Sequence, residues 1–138
     1  MGSAARRVVV GGSPVAGGYG IWKWTGSSWA LADGGALRIA VDPIGNPWTV
    51  DSSNVIRRRI GGLAGSWQVM PGLANDIGIG PEGSVWVTGT GTDAGGFQIW
   101  RWVGSHWARV PGGATNISVG PGGDPWIVNS THATLRWT

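Results

Sequence analysis

Apolar and polar residues alternate along this chain in short bursts, each cut off by a turn rich in glycine, proline, asparagine or aspartate. One series reads "LRIAV" (37–41), "PWTV" (47–50), "VIRRR" (55–59) and "SWQVM" (66–70). Alternation with period two places successive side chains on opposite faces of a strand, and bursts this short suit strands rather than helices. The four phrases return as "DIGIG" (76–80), "VWVTG" (85–89), "QIWRW" (98–102) and "HWARV" (106–110). Three return again as "NISVG" (116–120), "PWIVN" (125–129) and "TLRW" (134–137). Ahead of them, "VVVGGSPVAGG" (8–18), "IWKW" (21–24) and "SWALA" (28–32) read as the tail of a further copy. No helical spacing persists beyond one turn, so the pattern predicts an all-β chain.

The repeat is exposed most sharply by tryptophan. Trp29, Trp67 and Trp107 are 38 and 40 residues apart, and so are Trp48, Trp86 and Trp126. Residues 21–52 align without gaps to 99–130, an offset of 78, with 18 of 32 positions identical. Self-similarity at a fixed period near 40 residues is the mark of a repeat architecture. Each repeat is read as one four-stranded antiparallel blade. On this reading residues 1–138 form a single segment with a partial blade at 6–31, blades at 36–70 and 74–110, and a partial blade at 114–138. That is fourteen strands, or about three and a half blades per chain.

The turns "DPIGNPW" (42–48), "GPEGSVW" (80–86) and "GPGGDPW" (120–126) link the first and second strands of three repeats. Pro43, Pro81 and Pro121 are expected to set the entry to the turn. Gly45, Gly83 and Gly123 are expected to adopt a backbone angle that a side chain resists. The tryptophan that follows is expected to pack between neighbouring sheets.

A β-propeller built of such blades is the expected fold, with a β-trefoil as the alternative. The double period of 78 residues does not divide into a threefold object. An open arc of blades exposes sheet edges and faces. The expectation is therefore a ring closed by head-to-tail association of copies, a homo-oligomer and in the simplest case a dimer.

Composition narrows the chemistry. The chain has 27 glycines, 8 prolines and 11 tryptophans, against one tyrosine and one phenylalanine. There is no cysteine, which removes disulfides, thiolate metal sites and cysteine nucleophiles. His106 and His132 are the only histidines, too few for a zinc site within one chain. No cofactor is expected. No apolar run approaches a membrane span, and the first residues lack a signal-peptide core, so membrane insertion is not expected and the compartment is left undetermined. The formal charge is +3, but only 12% of residues are charged. Basic residues fall as Arg6-Arg7, Arg57-Arg58-Arg59 and scattered singles rather than as a stripe, so nucleic acid is not an expected partner. The acids lie mostly in turns, and nothing marks a carboxylate pair for acid–base work. The chain is not expected to be an enzyme.

"NISVGPGGDPWIVNS" followed by "TLRW" resembles the tectonin repeat of the tectonin and tachylectin-1-type β-propeller lectins. In those repeats an Ile-Ser-Val-Gly strand is followed by a turn, by Val-Trp-x-Val-Asn and by Ile-Tyr-Arg-Arg. The resemblance covers nearly the whole chain from residue 8. The chain departs from it where the family's third-strand tyrosine is replaced by Trp22, Ile56, Trp100 and Leu135. The resemblance implies a non-catalytic lectin that binds cell-surface or microbial glycans at repeated, multivalent sites. A protein-interaction or structural propeller module, a fragment, or an engineered repeat protein without a selected ligand is the alternative.

Two groups of residues are candidates for ligand contact. The first is on the third strand: Trp22, Lys23 and Trp24; Trp100, Arg101 and Trp102; and Arg136 and Trp137. Lys23, Arg57, Arg101 and Arg136 are read as one recurring basic position. Either basic stems cover indole rings and tie blades together, or exposed indoles beside polar donors stack on the apolar face of a sugar. The second group lies where the chain leaves the second strand: Asp51-Ser52, Asn129-Ser130 and the offset Thr88. These either cap turns or bind sugar hydroxyls in clefts between blades. The run Arg57-Arg58-Arg59 is expected to lie on a solvated outer strand.

Overall fold

The structure is a computed structural model that describes residues 8–137. Arg6 and Arg7, counted above in the segment 6–31, and Thr138 lie outside the described residues. The chain is all-β, as the alternation predicts. The strands are β1 (Val8–Val15), β2 (Gly18–Trp24), β3 (Trp29–Ala36), β4 (Arg38–Val41), β5 (Pro47–Val50), β6 (Val55–Ile60), β7 (Ser66–Ile79), β8 (Val85–Asp93), β9 (Gly96–Trp102), β10 (Trp107–Ala114), β11 (Asn116–Val119), β12 (Pro125–Val128) and β13 (Thr134–Arg136). Among the described residues a single 3-10 turn, Gly62–Ala64, interrupts them.

Hydrogen bonding follows chain order. β1-β2-β3 form one run, β4 through β10 a second and β11-β12-β13 a third. The strand pairs whose register is resolved are antiparallel, from Val8 opposite Lys23 to Val128 opposite Thr134. The chain divides into two compact units, Met1–Met70 and Pro71–Thr138. β7 runs through this boundary without a break, whereas the sequence pattern reads two strands there, "SWQVM" and "DIGIG".

Each unit has its own apolar core, and the two cores use equivalent residues. In the first, Val8, Ile21 and Ala36 are buried with Ala32, Ile39 and Val41 packed against them. In the second, Ile99, Ala114 and Ile117 are buried with Val110 and Val119, and Trp86 joins them. Ile21 and Ile99, Ala36 and Ala114, Ile39 and Ile117 are each separated by the 78-residue offset. The alternation of β2 and β9 explains the choice. Ile21 and Ile99 lie on the buried face, while their tryptophan neighbours lie on the other.

The three recurring turns are built as the sequence predicts. The amides of Gly45, Gly83 and Gly123 donate to the carbonyls of Asp42, Gly80 and Gly120 at 3.0, 3.0 and 2.9 Å. Their φ angles are 92°, 92° and 87°. The tryptophans that follow do not share one fate. Trp48 and Trp86 are 5% and 6% exposed, but Trp126 is 44% exposed. The expectation that all three pack between sheets is thus corrected at Trp126. Among the described residues no helix is long and apolar enough to cross a membrane.

Candidate ligand-binding cleft

The fourth-strand tryptophans supply the frame of the site. In the first unit the Trp67 indole Nε1 donates to the Asp33 carbonyl at 2.8 Å. The ring lies over Gly34, where a Cβ would come within 3.1 Å of Nε1. In the second unit the Trp107 indole repeats the arrangement, donating to the Pro71 carbonyl at 2.8 Å beside Gly72. Gly34 and Gly72 have φ of 92° and 80°. The left-handed backbone, which glycine adopts at little cost, turns a carbonyl toward the indole and leaves the ring room to lie flat. This arrangement forms a seat for the indole.

Beside the Trp67 seat opens a cleft of about 440 Å³, within the usual size range of small-molecule sites. Its walls include Gly17, Gly34, Gly35, Thr49, Asp51, Ser52, Ser53, Arg57 and Trp67. The turn after β5 positions the polar wall. Asp51 Oδ1 accepts from the amides of Ser53 at 2.8 Å and Val55 at 3.0 Å, which closes the turn and starts β6. Arg57, two residues into that strand, then reaches back, and its Nη1 donates to Asp51 Oδ2 at 2.5 Å. The Ser52 amide donates to the Gly17 carbonyl at 2.9 Å, which ties the turn to the β1–β2 hairpin. Burial opposes ionisation of Asp51, but the hydrogen bonds from Arg57, Val55 and Ser53 outweigh it and hold its carboxyl below the ordinary value. The cleft therefore presents a fixed carboxylate beside a guanidinium, with hydroxyls around them.

Asn129 reproduces the turn but not the ion pair. Its Oδ1 accepts from the amides of Thr131 at 3.0 Å and Ala133 at 2.9 Å, and Ser130 donates to the Gly95 carbonyl at 2.8 Å. Both residues cap turns, and Asp51 also lines the cleft. Thr88, grouped with them from the sequence, is 0% exposed and cannot reach a ligand, a correction to that reading.

The structure separates the other candidates. Trp24 and Trp102 pack edge-to-face against the cross-strand partners Trp29 and Trp107, with ring centres 5.4 and 5.1 Å apart. Trp22 and Trp100 lie against the bare backbone of Gly11 and Gly89. Lys23 sits opposite Val8 in the β1–β2 pair. The Arg101 guanidinium lies 5.5 Å above the Trp86 ring, and that of Arg136 lies 5.7 Å above Trp126. Arg58, not Arg57, holds the equivalent place, 5.8 Å above Trp48 and opposite it in the β5–β6 register. The recurring basic position is corrected accordingly to Lys23, Arg58, Arg101 and Arg136. None of Trp22, Lys23, Trp24, Trp100, Arg101 and Trp102 lines the cleft.

The solvated reading of the arginine run fails at Arg59, which is 4% exposed. Its guanidinium donates to the carbonyls of Gly62, Leu63 and Gly65 at 2.7, 2.7 and 3.0 Å, and pairs with Asp33. It also lies 5.1 Å from the centre of the Trp67 ring. The hydrogen bond from Arg59 lowers the Asp33 carboxyl below its ordinary value. The sequence marks Arg57 only as one of the recurring basic positions and does not mark Trp67, Thr49 or Ser53 as ligand contacts. The usable signal was the spacing Asp51–Arg57 across a tight turn, with Trp67 in the recurring tryptophan series.

In the second unit Arg136 and Trp137 line a different, apolar cavity of about 280 Å³ with Ile99, Val110, Gly112 and Leu135.

Two outcomes follow from the Asp51 turn. Asp51→Asn should keep the turn, as Asn129 does, and lower stability by about 1 kcal/mol, whereas Asp51→Ala should cost about 2–3 kcal/mol by leaving two amides uncapped. Chemical denaturation checks both. A depressed carboxylate pKa contributes stability that is fully present above the unfolded value of about 3.9 and lost as pH falls through the folded value. The difference in stability between wild type and Asp51→Asn should therefore be constant above about pH 5 and shrink below about pH 4. Thermal midpoints measured from pH 3 to 7 check this.

Compared with family models and with curated proteins, the chain matches none.

Proposed function

We propose that this chain is a non-catalytic carbohydrate-binding protein of the tectonin kind, a β-propeller whose four-stranded blades close into a ring through head-to-tail association of copies. The blade segments are 6–31, 36–70, 74–110 and 114–138. Strand order, the recurring turns and the tryptophan series support that architecture. The single observation that carries the binding reading is the polar cleft with the Asp51–Arg57 pair beside the seated Trp67. A carboxylate accepts and a guanidinium donates, so together they match the paired hydroxyls of a sugar ring, while an indole suits its apolar face. Several such sites on one rigid ring turn weak single-site affinity into avidity. Asp33, Asp51 and Asp93 each hold an arginine, and Asp42 and Asp76 hold backbone amides, which favours binding over acid–base chemistry.

A glycan array that includes bacterial and methylated sugars tests the reading, with wild type and Arg57→Met side by side. Wild type is expected to bind a defined set, and Arg57→Met to lose at least about tenfold in affinity for it. An array without binders, or binding unchanged in Arg57→Met, contradicts the proposal. A partner protein captured without sugar dependence would move the assignment to an interaction module.

A further inference from the structure

Among the described residues the fourth-strand tryptophans and the seats do not balance. Three left-handed glycines occupy equivalent places: Gly34, Gly72 and Gly112, with φ of 92°, 80° and 109°. Trp67 covers the first and Trp107 the second, each donating to the carbonyl just before the glycine. Against Gly112 the nearest atom to an added Cβ would be Ile99 Cδ1 at 3.7 Å, and among the described residues no indole comes within 4 Å of that position. The corresponding acceptor is the Pro111 carbonyl, because Pro111 is displaced by 78 from Asp33. This bare seat opens into the apolar cavity of about 280 Å³ whose lining includes Ile99, Val110, Pro111 and Leu135, with Trp86 and Trp137 on its walls but not on Gly112. In the first unit the matching residues Ile21 and Ala32 are covered, with Trp67 packed onto that cluster.

The converse holds at Trp29. It starts β3 as Trp107 starts β10, Trp67 is the second residue of β7, and Trp29 is related to Trp107 by the same offset of 78. Yet Trp29 is 46% exposed, and among the described residues no carbonyl accepts from its Nε1. Its only described ring partner is Trp24, just as Trp107 is braced by Trp102. The bracing is therefore already in place without the seat.

We propose that Trp29 of one copy docks on the Pro111–Gly112 seat of a second copy, its Nε1 donating to the Pro111 carbonyl and its ring closing the apolar cavity. The proposal rests on the head-to-tail reading above and specifies its contact. The occupant is a second copy because the described residues carry both halves, an indole outside any seat and a seat that no indole reaches, and two further examples of the joint. The interface is heterologous: one surface meets a different surface of the next copy, so repetition either closes a ring or grows a filament. A large aromatic filling an apolar pocket is the usual form of an interface hot spot.

Sedimentation velocity over a concentration series tests it, with wild type, Trp29→Ala and Gly112→Val. Trp29 is exposed, so Trp29→Ala should leave the far-ultraviolet circular dichroism unchanged. Gly112→Val blocks the seat from the other side and serves as the independent variant. Wild type is expected to associate, and each variant to raise the dissociation constant by about 30-fold or more. If wild type associates and Trp29→Ala associates equally well, the docking contact is wrong while the head-to-tail reading stands. If wild type is monomeric at every concentration, both fall.

Discussion

Arg59→Met is expected to lower folding stability by about 3 kcal/mol, because a buried guanidinium loses its charge-assisted hydrogen bonds to three carbonyls. The side chain is held by three carbonyls, the Asp33 carboxylate and the Trp67 ring face. Methionine fills much of the volume but donates nothing, so the carbonyls of Gly62, Leu63 and Gly65 lose this donor. The 3-10 turn Gly62–Ala64, whose curvature these bonds fix, should loosen first. Arg58→Met is the matched control. Arg58 donates to Gln68 at 2.7 Å on the exposed face and lies over Trp48, so its loss should cost under about 1 kcal/mol. Urea denaturation of both variants checks the contrast. Equal effects would mean that Arg59 is not the clamp described above.

The second large effect is expected at Trp86. Trp86→Ala should cost about 3–5 kcal/mol, because the ring is 6% exposed and joins the core formed by Ile99, Ala114 and Ile117. Trp86→Phe should cost less, about 1–2 kcal/mol, since among the described residues Nε1 has no hydrogen-bond partner to lose. Trp126→Ala, at the same place in the repeat, should cost under about 1 kcal/mol because that ring is 44% exposed. Thermal denaturation of the three variants tests whether identical turn phrases carry unequal energies. A loss at Trp126 as large as that at Trp86 would contradict the burial seen here.

What could be read in advance depended on how local the cause was. The turns at 42–48, 80–86 and 120–126 are set by a proline and a glycine a few residues apart, and they formed as expected. Strand identity followed from alternation, which needs only neighbours in sequence. Register did not. Arg57 and Arg58 are adjacent, and a slip of one residue exchanges the two faces of a strand. Only the pairing of Trp48 with Arg58 shows which arginine covers the ring. Arg59 looked solvated because three consecutive arginines suggest an exposed strand. Its burial depends on carbonyls three to six residues later and on Asp33, 26 residues earlier. Trp126 matched Trp48 and Trp86 in sequence, yet what covers a ring is decided by other strands.

The cleft was half legible for the same reason. Asp51 is marked by its place after a strand and Arg57 as a recurring basic position, but their pairing follows from the geometry of the turn, and the place of Trp67 from a carbonyl on another strand. The cleft wall and the proposed docking contact share one element, an indole seated on a left-handed glycine and bonded to the carbonyl before it.

That element can be observed directly by hydrogen exchange at the indole N–H groups of tryptophan-labelled protein, followed by NMR. The account predicts slow exchange at Trp67 and Trp107, whose Nε1 groups donate to Asp33 and Pro71, and fast exchange at the exposed Trp126. Exchange at Trp67 and Trp107 as fast as at Trp126 would contradict it.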